Sequence, residues 1–506
     1  MSFLAVVSVS SSPIVPFLVG VFAAYVVAGV FARLYLSPLA NFPGPKLAAS
    51  TYWPEFYYDL IKGGSFQRQI AQMHEQYGPI VRINPGELHI QDSEFYDQLY
   101  RRENKLDKFP GQTKMFGMPG IFFTMETHEL HRQRRAPYSL FFSRKAISDM
   151  SQLITDRLDA LCRRLRDSEK QRVPMPLGLG YVALTTDIIS SYALADCYHL
   201  LERDDLGRSY HDLFLGFIQS CHFIKHLTFI FNMMQALPDP VILWLRPSLR
   251  LAMQLMKKMQ SDIQATIEEL SSSKTHEPKP GLFSTILQSN LSPQDRTAER
   301  IAREAMSLLI AGSETTAFTM STITYHVLAN PTTLVKLRAA LRQAIPDPNA
   351  LPLPLGQLEA IPYLYACVQE GLRLAYGTSN RLTRVSRTPI RYRDWDIPAG
   401  VPVGMTTVFM HDDEYYFPGP QSFPTGTLAR AARRRGASRK VFDQLRQRDP
   451  AMFGLAYAEL YITIATIFRR FELALFETER ATVEYARDYF NPFPEHGGDG
   501  VRVLVM

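Results

Sequence analysis

The sequence predicts a mainly α protein with a small β portion behind an N-terminal transmembrane helix. Three observations carry this: apolar residues recur at three and four over several long stretches, strand patterns are few, and residues 14–36 form an almost uninterrupted apolar run. The chain has 506 residues, 46% of them apolar, and no Gly/Ser-rich linker or internal repeat divides it after the first forty-odd. One large globular unit after the anchor is the simplest reading, with boundaries at 1–36 and 37–506.

From Ile14 to Leu36 no charge occurs before Arg33, and the run is long enough to cross ~30 Å of hydrocarbon. A cleaved signal peptide is the alternative. The absence of Lys or Arg before the run, its length, and Arg33 and Lys46 after it favour a retained anchor with the bulk of the protein in the cytosol. Phe42-Pro43-Gly44-Pro45 then reads as a stiff connector.

Helical periodicity marks Ser148 to Leu165, Leu251 to Leu270, Ala298 to Leu328 and Leu455 to Phe471. Ile80 to Asn84 and Leu88 to Gln91 flank Pro85-Gly86 and read as a hairpin. Cys162, Cys197, Cys221 and Cys367 fall in apolar helical contexts without metal-ligand spacing, as free thiols in a reducing compartment do. No metal-binding set is read. The net charge of +6 arises in one window: Pro424 to Gly454 holds seven Arg and one Lys against two Asp, leaving 47 basic and 47 acidic residues elsewhere. So local an excess implies no nucleic-acid partner.

The stretch from Ile301 to Val327 is apolar on nearly every side except at Gly312, Ser313, Glu314, Thr315 and Thr316. Burying a carboxylate and hydroxyls costs several kcal/mol, on the order of 2–7 each, unless each finds a partner. Gly312 would leave room beside the backbone, and a threonine hydroxyl can draw on a carbonyl one turn earlier, opening a small polar pocket. Two threonines back-bonded within a packed helix are the alternative. Glu370 and Arg373 sit three apart among apolar neighbours, as a surface pair or a buried lock. His131 and Arg135 share a helix face near Arg132 and Arg134, either as a solvated basic face or as donors to carboxylates of an anionic cofactor. Pocket-facing segments are expected around Met115 to Phe123, Phe214 to Phe231 and Thr378 to Leu382, whose Phe, Met and Ile content suits an apolar ligand.

In this order behind an anchor, Ala311-Gly312-Ser313-Glu314-Thr315-Thr316, Glu370-x-x-Arg373 and Arg384 resemble the cytochrome P-450 family over nearly the whole chain. His128 to Ser143 and Leu455 to Leu473 look most like fungal members that oxidise terpenoid or polyketide-type metabolites, such as the trichodiene oxygenase group. The resemblance implies a heme b cofactor, with Thr315 and Glu314 serving the oxygen pocket beside Gly312 and with His131, Arg135 and Arg384 at the heme propionates. Glu370 and Arg373 match the fold-stabilising pair. It further implies a small hydrophobic substrate, O2, electrons from an NADPH-cytochrome reductase, and a single-pass location in the endoplasmic reticulum membrane.

One element of that family is missing. Its ligand loop reads Phe-x-x-Gly-x-Arg-x-Cys-x-Gly, and the thiolate drives O–O cleavage; here Arg448-Asp449-Pro450-Ala451-Met452-Phe453-Gly454 precedes the matching helix, without cysteine. The preceding Phe-x-Pro-Glu-Arg-Trp element is also replaced, by Phe423-Pro424-Thr425-Gly426-Thr427-Leu428. Encoding Pro424 to Ala429 as CCG ACC GGA ACG CTG GCG and dropping one base gives Arg-Pro-Glu-Arg-Trp. The same offset over Asp449 to Gly454 gives Thr-Arg-Gln-Cys-Leu, where the cysteine is forced because Met452 followed by Phe453 always contains TGT. Residues 424 to roughly 454 therefore read as translated out of frame, through a gene-model error or a real lesion. The alternatives are a non-catalytic relic lacking the thiolate and a membrane-tethered helical binding protein that uses its cavity without heme.

Overall fold

Ala298–Leu328 forms one continuous helix of 31 residues through the core, begun by the Thr297 side chain, which accepts from the Arg300 N–H. Its neighbours are Leu177–Ala193, Arg250–Ser272, Pro362–Leu374 and Pro450–Arg470. Apolar side chains from these five helices make up about half of the largest hydrophobic cluster, so the central helix is held from several sides. The structure, a computed structural model, describes residues 14–194, 196–272, 281–423, 450–495 and 498–506. Most of the anomalous stretch, 424–449, lies outside the described residues.

The hairpin forms as Ile80–Asn84 against Glu87–Ile90, across the Pro85-Gly86 turn. It opens a five-stranded sheet continued by Pro402–Gly404, Arg384–Val385 and Asp107–Lys108. In that sheet Lys108 lies opposite Arg384 and Asp107 opposite Val385, a register that sets two cations side by side.

In the helix Ile14–Phe31, residues 15–28 are exposed, and Val15–Leu36 is long and apolar enough to cross a membrane. Arg33 Nη1 donates to the Ser50 carbonyl at 2.7 Å, tying the end of this run to the globule.

Four expectations are corrected. The periodic stretch from Ser148 breaks at Met150 into Arg144–Asp149 and Ser151–Gln171. Cys197 lies in irregular chain beyond the end of Leu177–Ala193, not in a helix. Residues 378–382 form a buried polar seam rather than an apolar pocket wall: Ser379 Oγ and Asn380 Nδ2 donate to Asp488, and Arg381 Nε donates to Glu87 at 2.7 Å. Buried carboxylates need such donors, which outweighs the apolar reading of the segment. Phe229 and Ile230, expected to face a pocket, are exposed.

Candidate functional site

Along the buried central helix one face opens at spacings of four and three: Ala311 is exposed, and Thr315 and Phe318 are half-buried. The helix is not interrupted there. Thr315 Oγ1 donates to the Ala311 carbonyl at 2.7 Å, which leaves its lone pairs facing the opening. Ser313 faces the other way, donating to Leu309 O at 2.7 Å and accepting from Thr186 Oγ1 at 2.9 Å. Gly312 serves close packing: a Cβ there would come within 3.3 Å of Ile189 Cγ1. Thr316 is buried.

Glu314 is buried and lies 2.9 Å from His211 Nδ1, through Oε1. Burial pushes His211 down, but the hydrogen bond and charge of Glu314 more than reverse this and leave it above its ordinary value. His211, Glu314 and Thr315 line one cavity of about 90 Å3 with Val182, Leu215 and Phe318. Its walls come from Leu177–Ala193, Arg208–Gln219, the central helix and the chain near Asn491–Pro494, not from 378–382.

A second cluster gathers cations. His131 is pushed down to about 3 by burial, then by the charges of Lys108, Arg135, Arg384 and His128. Lys108 is pushed down to about 7 by burial and by Arg384 and Arg135. Its ammonium donates to the Phe123 carbonyl at 2.6 Å. Arg384 Nη1 donates to Thr383 O at 3.0 Å. The nearby carboxylates are engaged elsewhere, Asp107 by the His128 N–H and Arg387, and Glu129 by Arg387. Arg134 points away from the cluster and pairs with Asp295 at 2.5 Å, and Arg132 is exposed. The structure thus brings His131, Arg135 and Arg384 together and adds Lys108, which sequence reasoning missed because only strand register reveals it.

Phe122 and Phe123 tie the cation cluster to the first half of the central helix, ahead of its open face. The Phe123 carbonyl holds Lys108, and the Phe122 N–H donates to Glu304 of the central helix at 2.8 Å.

Arg373 Nε donates to Glu370 Oε2 at 2.8 Å with both side chains buried. Its Nη1 donates to His411 O and Pro420 O, and its Nη2 to Ser422 O. Beyond Ser422, Phe423 stacks on His326 with ring centroids 5.0 Å apart. On the helix that follows the anomalous stretch, Glu459 is buried with Oε1 unpartnered, and burial alone holds its carboxyl far above the usual range.

These groups can be tested against heme. Four basic groups, of which Lys108 and His131 have their proton affinity lowered by burial and by the neighbouring cations, suit two propionates, and a half-exposed hydroxyl on the open face of the central helix suits the oxygen side. The sulfur donor does not match. Cys162, Cys221 and Cys367 are buried thiols pushed upward by burial, and Cys197 lies 3.6 Å from Arg157. None of them lines the cavity at Thr315.

The sequence model of the cytochrome P-450 family matches residues 44–426, so the match ends where the anomalous stretch begins. A tryptophan 6-hydroxylase of Fusarium equiseti is 37% identical over 478 residues, 94% of this chain and 93% of its own length. An N-acetyltryptophan 6-hydroxylase of Emericella nidulans is 35% identical over 479 residues, 94% of each chain. A cytochrome P-450 monooxygenase of Fusarium sporotrichioides is 32% identical over 504 residues, 96% of each.

Proposed function

This chain belongs to the cytochrome P-450 family, and from that premise we propose a heme-dependent monooxygenase that hydroxylates or epoxidises a hydrophobic secondary metabolite of terpenoid or polyketide type. We propose further that residues 424 to about 454 are written out of frame and that the true loop carries the axial cysteine. The observation that carries the reading is the cation cluster of His131, Arg135, Arg384 and Lys108, linked through Phe122-Phe123 to the helix whose open face holds Thr315.

In this reading the basic side chains bind the two carboxylates of heme and fix its orientation. Heme, when bound, supplies oxygen activation with electrons from an NADPH-cytochrome reductase. Thr315 offers its lone pairs to the oxygen pocket, Glu314 holds a proton for it, and Gly312 lets the covering helix approach. The Glu370–Arg373 pair holds the chain from His411 to Ser422 in place. Residues 1–36 act as a single-pass anchor in the endoplasmic reticulum membrane, with residues 37–506 as a cytosolic catalytic domain. Arg33 and Lys46 after the apolar run support that orientation.

A second reading, a relic without oxygen chemistry, is favoured by one observation: no described cysteine lines the Thr315 cavity. Transcript sequencing across codons 420 to 460 separates the two. The first reading expects an indel or splice alternative that restores the cysteine, and a restored protein with the reduced-CO absorbance of thiolate-bound heme. A continuous, expressed frame as written overturns it. Tryptophan and N-acetyltryptophan, named for two relatives, are the first probes for turnover.

A further inference from the structure

His211 contributes something no motif announces. Both ring nitrogens face oxygens: Nδ1 lies 2.9 Å from Glu314 Oε1 and Nε2 lies 3.4 Å from the Gly498 carbonyl. A carbonyl only accepts, so Nε2 carries a hydrogen. The Nδ1 to Oε1 contact then needs one proton, on nitrogen as imidazolium facing carboxylate or on oxygen as imidazole facing carboxylic acid. Each arrangement leaves the pair neutral as a whole, so neither strands an uncompensated buried charge.

We infer that His211 is a positioning residue that holds one transferable proton on Glu314 beside Thr315, an inference that rests on the proposed function of this cavity. When the cavity draws a proton, the shared proton passes from Nδ1 to Oε1 and on from there, leaving Glu314 as a carboxylate beside neutral His211 with its Nε2–H on Gly498. One proton from solvent then restores the pair, so one proton leaves, one enters, and no electron moves. Both side chains keep 10% exposure, which gives solvent a way in.

The surroundings leave the exchange to the pair. On its own helix His211 feels Asp212, while Arg208 and Asp499 neutralise each other at 2.5 Å. Leu177–Ala193 presents Gly178 and Val182 to the cavity, and among the described lining residues of the central helix Glu314 alone is titratable. Without Glu314, burial would keep His211 neutral. A plain structural tie between Arg208–Gln219 and the central helix would need the hydrogen bond alone. A glutamine could make that bond, but it could not release a proton.

Two measurements test the inference. In the full chain as written, with 15N-labelled histidine, His211 should titrate above the ordinary histidine value, and Glu314→Gln should move it below. An unchanged titration overturns the pairing. In the frame-restored enzyme with its reductase, the probe is NADPH-driven oxygen consumption across pH. His211→Gln should raise hydrogen peroxide released per O2 consumed several-fold and flatten the alkaline limb of the profile. A His211→Gln enzyme matching its parent in both overturns the proton-holding role and leaves only a structural tie. If the restored protein lacks thiolate-type CO absorbance, the proposed function fails instead, and the histidine titration still decides the pairing.

Discussion

Arg373 meets Glu370 at 2.8 Å inside the core and, with its other two nitrogens, holds the Pro420 and Ser422 carbonyls that lead into the anomalous stretch. The guanidinium therefore joins a helix of the core to the chain that runs up to residue 423, where the anomalous stretch begins. Glu370, raised by burial and partly brought back by Arg373, depends on that cation to stay ionised. Arg373→Met should cost about 3–5 kcal/mol, the range for stranding a buried charge. Glu370→Gln leaves the Arg373 cation without its counter-charge, but the glutamine still accepts from Nε and the His411, Pro420 and Ser422 carbonyls still hold the guanidinium, so it should cost less, about 1–3 kcal/mol. Urea midpoints of the two variants check the order, and an Arg373→Met protein as stable as Glu370→Gln would refute the clamp.

Gly371, between these two residues, packs directly against Ile323 of the central helix. A Cβ built at Gly371 falls 2.1 Å from Ile323 Cγ1, well inside contact distance. Gly371→Ala should lower stability by about 1–3 kcal/mol through overpacking, although alanine is the better helix former. Adding Ile323→Ala removes the clashing carbon. The double variant should then be less destabilised than the two single effects sum to, and strict additivity in thermal unfolding would rule out this contact as the cause.

The central helix was legible to its ends because its apolar periodicity runs unbroken from Ala298 to Leu328, and the hairpin was legible because Pro85-Gly86 sits between two short apolar runs. The rest of the sheet was not. Arg384–Val385 and Asp107–Lys108 are two-residue strands, too short to show alternation, and they pair across more than half of the chain. Lys108 joins His131, Arg135 and Arg384 only through that pairing. His211 was hidden for the same reason, since a lone histidine gives no signal when its carboxylate is 103 positions away. Thr378 to Leu382 was misread because composition does not reveal the buried partners of Ser379, Asn380 and Arg381.

Lys108 gives the cation cluster a pH signature. Its folded value, about 7, lies below the ordinary 10.5, so between those limits the unfolded chain binds more protons than the folded one. Its contribution to stability therefore rises with pH from about 7 to about 10.5. Chemical denaturation of the chain as written and of Lys108→Met should diverge across that window, with the variant gaining less as pH rises. Parallel curves would remove Lys108 from the cluster. An anion seated there should reverse the trend: heme carboxylates favour charged Lys108, so binding at about pH 8 should take up a proton.

Thr315 is the residue on which the oxygen-side reading turns. Its hydroxyl hydrogen is committed to the Ala311 carbonyl at 2.7 Å, so what it presents to the opening is acceptor capacity, with Glu314 beside it to supply the proton. Thr315→Ala removes that acceptor and leaves Ala311 O without its extra donor. The backbone of a helix that is continuous on both sides is untouched. Fold stability should change by no more than about 1 kcal/mol, because one exposed hydrogen bond is lost. In the frame-restored enzyme the loss should fall on coupling, with oxygen consumption persisting while product per oxygen drops about tenfold or more. Thr315→Ser, which keeps the oxygen, should recover most of the coupling. If the alanine variant couples as well as the parent, the Thr315 hydroxyl has no part in proton delivery, and the open face at Ala311 and Phe318 is a substrate wall and nothing more.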